Sequence, residues 1–395
     1  MDPQQNPFSP GAGNPPPELA GRRQILETAM LALARVKNGR AEKSLLMVGL
    51  RGVGKTVLLN EVQRQAEKLL YKVIYVEIHE GRQKKTLAEL LLPHLRRILF
   101  DLDRGERISA QAKRAIRVLK SFMNGLKLKM HDVEFYLDYD AETGAADSGD
   151  IEVDLAELFL AIGEAAKDRQ TAVAIILDEM QYLDEKELSA IIMAVHRIAQ
   201  KSLPLIIIGA GLPQLVGKAG NSKSYAERLF TYPDIGALNE EDAAEALQKP
   251  VKSMGVEFTQ EALAEIYAAT HGYAYFLQEW GKHAWLVAAQ SPITVEDVKI
   301  ATQKAIATLD KDFFRVRFDR LTPTEKNYVR ALAELGAKPQ RSGDIAEIMK
   351  KQVNQVAPLR GALIKKGMIY SPAHGDTAFT VPLFEEFLKR QIPKI

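Results

Sequence analysis

The chain has 395 residues, enough for two or three domains, and its 46% apolar and 26% charged residues exclude general disorder. It has no cysteine, which excludes disulfide scaffolds, thiolate zinc sites and cysteine nucleophiles and suits a cytoplasmic location. No apolar run reaches the roughly 18 residues of a membrane span, so no membrane partner is expected, and a net charge of +2 looks indifferent to nucleic acid.

In chain order, residues 1–17 are rich in Pro, Gly and Gln and are expected to form a disordered leader. A first helix is expected over 24–37. Apolar, β-favouring runs follow at 44–49, 72–77, 172–177 and 205–210, with a weaker one at 232–238. Several are continuous rather than alternating, as in a parallel sheet covered on both faces. Helical segments at 55–69, 86–99, 155–168 and 185–201 separate them. This alternation predicts an α/β doubly wound parallel sheet over 18–239. A basic helix (110–122), a hairpin over 126–137 and an acidic loop (138–154) break the rhythm and read as an insertion at about 101–153. The loop lacks the glycine and spacing of a calcium-binding EF-hand and is expected to be solvated. Residues 240–317 are helical throughout, at 240–249, 259–270, 273–289 and 294–309. Aromatics 273, 275, 276, 280 and 285 fall on helical spacing there, which favours a core between helices over a base-stacking platform. The last unit, 318–395, reads as helices 322–335, 342–349 and 352–366, two short strands (368–371, 377–381) and a closing helix (383–390).

The chemistry-bearing motif is Gly49-Leu-Arg51-Gly52-Val53-Gly54-Lys55-Thr56, a complete G-x-x-x-x-G-K-[ST] between a strand and a helix that opens at Val57. Its glycines let backbone N–H groups curl around phosphate oxygens at a helix N-terminus. Lys55 brings a mobile charge to the β- and γ-phosphates of ATP, and Thr56 a hydroxyl to Mg²⁺. The apolar run 172–177 ends in Asp178-Glu179, suited to holding Mg²⁺ and to activating water, respectively. An ATPase is expected, cycling between ATP and ADP; a P-loop kinase acting on a small molecule is the alternative.

With Gly21-Arg22 ahead of the phosphate loop and Leu-Asp-Glu-Met-Gln181 after it, the chain resembles the AAA+ superfamily. More narrowly, it is similar to origin-recognition-type initiators and STAND signalling ATPases, and to a family of bacterial ATP-binding proteins with this layout. The resemblance implies that Gly21 and Arg22 pack near the adenine, that 240–309 form a helical lid and that 318–395 form a winged helix. The stretch 224–230 is similar to the one carrying an arginine finger. Arg228 would then reach a neighbouring subunit's γ-phosphate through self-association, or else make an ordinary surface contact. The stretch 270–278 is similar to the start of the third lid helix. Three features depart from the pattern. The fourth strand ends in Gly209-Ala-Gly211 without a polar sensor. The lid helix lacks its arginine, His271 standing nearby as a nucleotide contact or a packing residue. The insertion is also not standard.

In the last unit, Gln352, Asn354, Gln355, Arg360, Lys365 and Lys366 sit on the candidate recognition helix, with Val353, Val356, Leu359, Leu363 and Ile364 expected on its buried side. Pro358 is expected to kink that helix or shift its start. Residues 318–395 hold 13 Lys and Arg against 8 Asp and Glu, so a basic module rides on a mildly acidic body. That favours contact with double-stranded DNA, with a protein-binding or autoinhibitory role as the alternative. The reading is an ATP-hydrolysing protein whose nucleotide state controls a DNA-contacting winged helix; the alternative is a slow switch with a protein partner.

Overall fold

The computed structural model describes residues 1–80, 85–103, 109–128, 140–373 and 375–392. Four apolar runs form strands β1 (Ser44–Val48), β2 (Lys72–Glu77), β3 (Val173–Asp178) and β4 (Leu205–Gly211), all paired in parallel. A short β5 (Phe230–Thr231) completes the order β2-β3-β4-β1-β5. The fifth strand lies just ahead of the apolar run at 232–238 rather than within it. Pro233 has no N–H to donate, and beyond it only an isolated bridge between Val48 and Asp234 remains.

Both faces of the sheet are buried, which explains the continuous apolar runs. Leu45 and Met47 pack with helices α1 (Arg23–Lys37) and α2 (Lys55–Lys68); Leu46 and Val48 pack toward α3 (Leu87–Asp103), α4 (Ala110–Gly125), α5 (Ile151–Asp168) and α6 (Glu185–Gln200). Helices α7 (Gln214–Ser222) and α8 (Ala226–Leu229) lead into β5. In the inserted stretch, α5 starts at Ile151 because Asp150 caps it, accepting from Glu152 N at 3.0 Å. The acidic loop is not simply solvated. Asp154 is fully buried and accepts from Ser148 N, Ser148 Oγ and Gly149 N at 2.7–3.1 Å. The expected hairpin falls mostly on 129–139, outside the described residues; residues 126–128 form a turn closing α4.

Four helices make the lid: α9 (Glu240–Lys252), α10 (Gln260–Thr270), α11 (Ala274–Val287) and α12 (Val295–Thr308). Phe276, Trp280 and Trp285 are buried among them, so most of the aromatic spacing was core spacing. A π-helical turn (Leu309–Phe314) and α13 (Arg315–Asp319) continue from α12, so the expected boundary at 317/318 falls inside a helix. Then follow α14 (Pro323–Leu335), β6 (Gln340–Arg341), α15 (Ser342–Ile348), α16 (Val353–Lys365), β7 (Ile369–Tyr370), β8 (Asp376–Phe379) and α17 (Phe384–Gln391). The antiparallel order β6-β8-β7 over three helices is a winged-helix arrangement. Helix α16 runs through Pro358 without a break, and Val353 is 51% exposed rather than buried. One continuous apolar core joins α1, α2, the lid and this unit.

The leader departs most from expectation. Phe8 is only 3% exposed, against Gly281 of α11. Asn6 Nδ2 donates to Lys282 O at 3.0 Å and Trp285 Nε1 donates to Asp2 O at 2.8 Å. A low-hydrophobicity segment becomes ordered when one aromatic anchor meets a notch and neighbouring groups satisfy its backbone.

Candidate functional site

Parallel pairing brings the C-terminal ends of β1 and β3 to the same edge of the sheet, separated only by β4. The phosphate loop leaves β1, and Gly52 (φ 83°) and Gly54 (φ 98°) take the left-handed backbone that turns it into α2. Lys55, 6% exposed, folds back and donates to the carbonyls of Gly49 at 3.0 Å and Leu50 at 2.8 Å. Thr56 Oγ1 donates to Asp178 Oδ2 at 2.6 Å, joining the loop to the end of β3. Tyr75 OH reaches the same oxygen at 3.3 Å. Burial raises the Asp178 carboxyl above its ordinary value, and the Thr56 hydroxyl opposes that shift.

Glu179 has left-handed backbone (φ 56°) and starts the one-turn 3₁₀ helix Met180–Tyr182. Its Oε2 accepts from Gln181 Nε2, and Gln181 Oε1 accepts from Leu212 N at 3.0 Å. Gln181 therefore ties Glu179 to the end of β4, where the strand offers no polar side chain. Glycines are needed there. A Cβ on Gly209 would collide with Met180 Sδ, and one on Gly211 would lie 2.9 Å from Gln181 Oε1. The role of Gln181 was not legible in advance, although it stands only two residues beyond the Asp-Glu pair.

Lys55, Thr56, Val57, Asp178 and Glu179 open into one cavity of about 520 Å³, together with Arg51, Gly52, Val53 and Gly54. Its walls also include the leader (9–14 and 16), residues 18–20 and Arg22, and Ala274, Tyr275, Leu277 and Gln278 at the start of α11. Phe313 and Arg317 close it from the segment that enters the winged helix. No sequence motif marked the leader, Tyr275 or Arg317 as part of this site.

A model of the AAA ATPase domain matches residues 18–208. This segment is an AAA ATPase domain. A second model, a domain of unknown function (DUF8462), matches residues 311–388. No curated protein matches the chain. Among solved structures, the Walker-type ATPase PABY2304 of Pyrococcus abyssi is 15% identical, covers 94% of this chain and 96% of its own, and gives a TM-score of 0.54. The Orc1 protein of Aeropyrum pernix in complex with DNA is 15% identical over 96% of this chain and 94% of its own, with a TM-score of 0.46. The RuvB Holliday junction branch migration motor of Thermotoga maritima is 13% identical over 97% and 99%, with a TM-score of 0.43. At these identities the first likeness speaks for the fold alone, and the other two add no argument. The chain has an AAA+ P-loop fold, a nucleotide-binding architecture.

Within the AAA+ domain, the residues expected around the adenine serve partly as struts. Arg22 Nη2 donates to Val53 O at 3.2 Å and to Gly236 O at 2.6 Å, clamping the phosphate loop to the segment before α9. Burial lowers its pKa. Gly21 (φ 66°) lies against Asp242 and Leu238 and does not line the cavity; Gly49 is closed off by Ile235. His271 is not at the site. It takes the left-handed C-cap of α10 and lines a separate cavity of about 160 Å³ with Trp280, Phe314 and Arg390. Arg228 is exposed on α8, away from this chain's own cavity.

The candidate DNA residues divide in two. Gln352, Asn354, Gln355 and Lys365 are exposed. Arg360 is occupied internally: it donates to Thr377 Oγ1 at 2.9 Å, Ser371 Oγ at 2.6 Å and Asp376 O at 2.7 Å, pinning α16 to the wing. Lys366 is likewise held, by Glu325 at 2.7 Å. Among the described residues no helix is long and apolar enough to cross a membrane, and no His/Cys/Asp/Glu cluster forms a metal site.

Burial pushes the Lys55 ammonium from 10.5 down to about 8. The folded value lies below the unfolded one, so the unfolded chain binds more protons between those limits and stability rises with pH there. Between pH 7.5 and 9.5 the nucleotide-free protein should gain about 2 kcal/mol from this group. Lys55→Met should lose that increment, read from urea midpoints at the two pH values.

Proposed function

We propose that the chain binds and hydrolyses MgATP in the 520 Å³ cavity and that nucleotide state controls the winged helix. The observation that carries this is the 2.6 Å bond from Thr56 to Asp178, which sets two hard oxygens side by side where the phosphate loop meets the end of β3. That pair suits Mg²⁺, which prefers oxygen ligands and retains water and phosphate ligands; once bound, it would neutralise phosphate charge. Lys55 exchanges its two backbone carbonyls for phosphate oxygens. Glu179 accepts a proton from water as the water oxygen bonds to the γ-phosphorus and the bond to ADP breaks. Gln181 positions Glu179 for this step.

For the output, we favour DNA. The exposed amides of Gln352, at the N-cap of α16, and of Asn354 and Gln355 on that helix, with Lys365, belong to a module carrying 13 Lys and Arg against 8 Asp and Glu. A switch with a protein partner is the second reading, favoured by the direct bond from Arg51 N to Thr380 O at 3.2 Å, which couples phosphate loop and winged helix. Arg228 would serve as a finger only in an oligomer, and a strict monomer by light scattering in every nucleotide state would remove it.

Calorimetry with MgATP tests the site: Lys55→Ala should weaken binding by about 10- to 100-fold, the worth of a charge-assisted hydrogen bond to phosphate. Unchanged affinity would place the nucleotide elsewhere. Duplex DNA binding between 50 and 200 mM salt, with ATP, with ADP and with neither, separates the outputs. Lack of binding at low salt in all three conditions leaves the protein switch.

A further inference from the structure

Three guanidinium groups line the cavity, and Arg22 is committed to the carbonyls of Val53 and Gly236, which leaves Arg51 and Arg317. Among the described residues, neither Arg51 nor Arg317 forms a salt bridge. Arg51 donates from Nη2 to the Tyr182 hydroxyl, and its Nε is buried with no partner. Arg317, half-buried, donates from Nη1 to Phe313 O at 3.1 Å and lies over the Phe313 ring at 4.0 Å. The two cations repel each other: burial, then the charge of Arg51, lowers the Arg317 pKa to about 10. Like charges held together away from water without counter-ions are costly, and a bound anion removes the cost. The planar fork of arginine matches phosphate oxygens in pairs.

Their position selects the phosphate. Arg51 is bonded to Tyr182, in the one-turn helix that Glu179 begins, so Arg51 stands on the Glu179 side of the cavity, and Arg317 lies near enough to feel its charge. In the ATP reading the terminal phosphate must lie there for Glu179 to act. The sequence position of Arg317 adds a consequence. It belongs to α13, in the segment that enters the winged helix. This unit touches the phosphate loop at two further points. Arg51 N donates to Thr380 O at 3.2 Å, and Gly367 leaves room for the Arg51 side chain, since a Cβ there would be 2.5 Å from Arg51 Nη2.

We propose that Arg317, beside Arg51, binds the terminal phosphate of ATP in the same chain and that this contact holds the winged-helix unit against the phosphate loop. The proposal rests on the ATP reading above. It makes Arg317 a ligand of the nucleotide that reports its presence to a unit more than 250 residues further along the chain from the phosphate loop.

The test uses the full chain as wild type, Arg317→Met, Arg317→Lys and Arg315→Ala, titrated calorimetrically with MgATP and MgADP. Arg317→Met keeps the stem packed on Phe313, so the fold is retained. Arg315 is exposed and paired with Asp319, and serves as a control. Arg317→Met should weaken ATP by about 10-fold or more while changing ADP by less than about 3-fold. Arg317→Lys should recover part of the ATP preference, and Arg315→Ala should match wild type. Hydrogen exchange over 366–380 should slow when ATP is added to wild type but not to Arg317→Met. An unchanged ATP-to-ADP affinity ratio in Arg317→Met, with wild type binding both, overturns this proposal alone. Wild type that binds neither nucleotide overturns the ATP reading and this proposal with it.

Discussion

Glu179→Gln will keep ATP binding and lower turnover roughly 10²- to 10⁴-fold, the usual worth of a positioned general base. The substitution preserves shape and the acceptor for Gln181 Nε2, so the link through Gln181 Oε1 to Leu212 N at 3.0 Å survives. Only the ability to take a proton is lost. Calorimetry with MgATP and single-turnover phosphate release separate binding from chemistry. Turnover equal to wild type would move the base to another residue. The result also bears on the missing polar residue at the end of β4. If Gln181 replaces it, Gln181→Leu will lower turnover while leaving ATP affinity within about 3-fold of wild type.

Phe8→Ala will release the leader and speed ATP dissociation by about 10-fold or more. Phe8 is 3% exposed, and truncating a buried phenylalanine costs about 3–5 kcal/mol. The remaining ties, Met1 N to Ala288 O, Asn6 Nδ2 to Lys282 O and Trp285 Nε1 to Asp2 O, are worth about 1 kcal/mol each and all lie before Phe8, so none of them holds residues 9–16 against the cavity. Residues 9–14 and 16 would then leave the cavity wall. Gly281→Ala approaches the same contact from the other side, since its Cβ would lie 2.8 Å from the Phe8 ring. Alanine favours the helix over glycine by about 1 kcal/mol, so faster dissociation in this variant cannot come from a weakened α11. Stopped-flow release of a fluorescent ATP analogue measures both. Wild-type rates in both variants would show that the leader does not retain nucleotide.

The two effects differ in how far they could be anticipated. The place of Glu179 at the cavity was legible because it follows a continuous apolar strand and accompanies a complete phosphate loop. Phe8 was not, because a composition rule averages over 17 residues and misses one aromatic side chain that has a notch to fill. Arg360 shows the opposite failure. It has the right chemistry for a base edge, but the pairing of β6, β8 and β7 surrounds it with Thr377, Ser371 and the Asp376 carbonyl. His271 was placed by proximity along the chain, and the left-handed C-cap turned it into a different cavity.

The sequence by itself determined what is local: buried strands from continuous apolar runs, a glycine loop curled onto the start of α2, and two carboxylates at a strand end. Each depends on backbone geometry within about ten residues, which residue order specifies directly. Only the tertiary structure decided which distant groups complete the site. The leader, Gln181 between Glu179 and β4, and Arg317 beside Arg51 come together because the lid and winged helix share one apolar core with α1 and α2. Packing of that core, rather than any motif, sets which charged and polar side chains line the cavity.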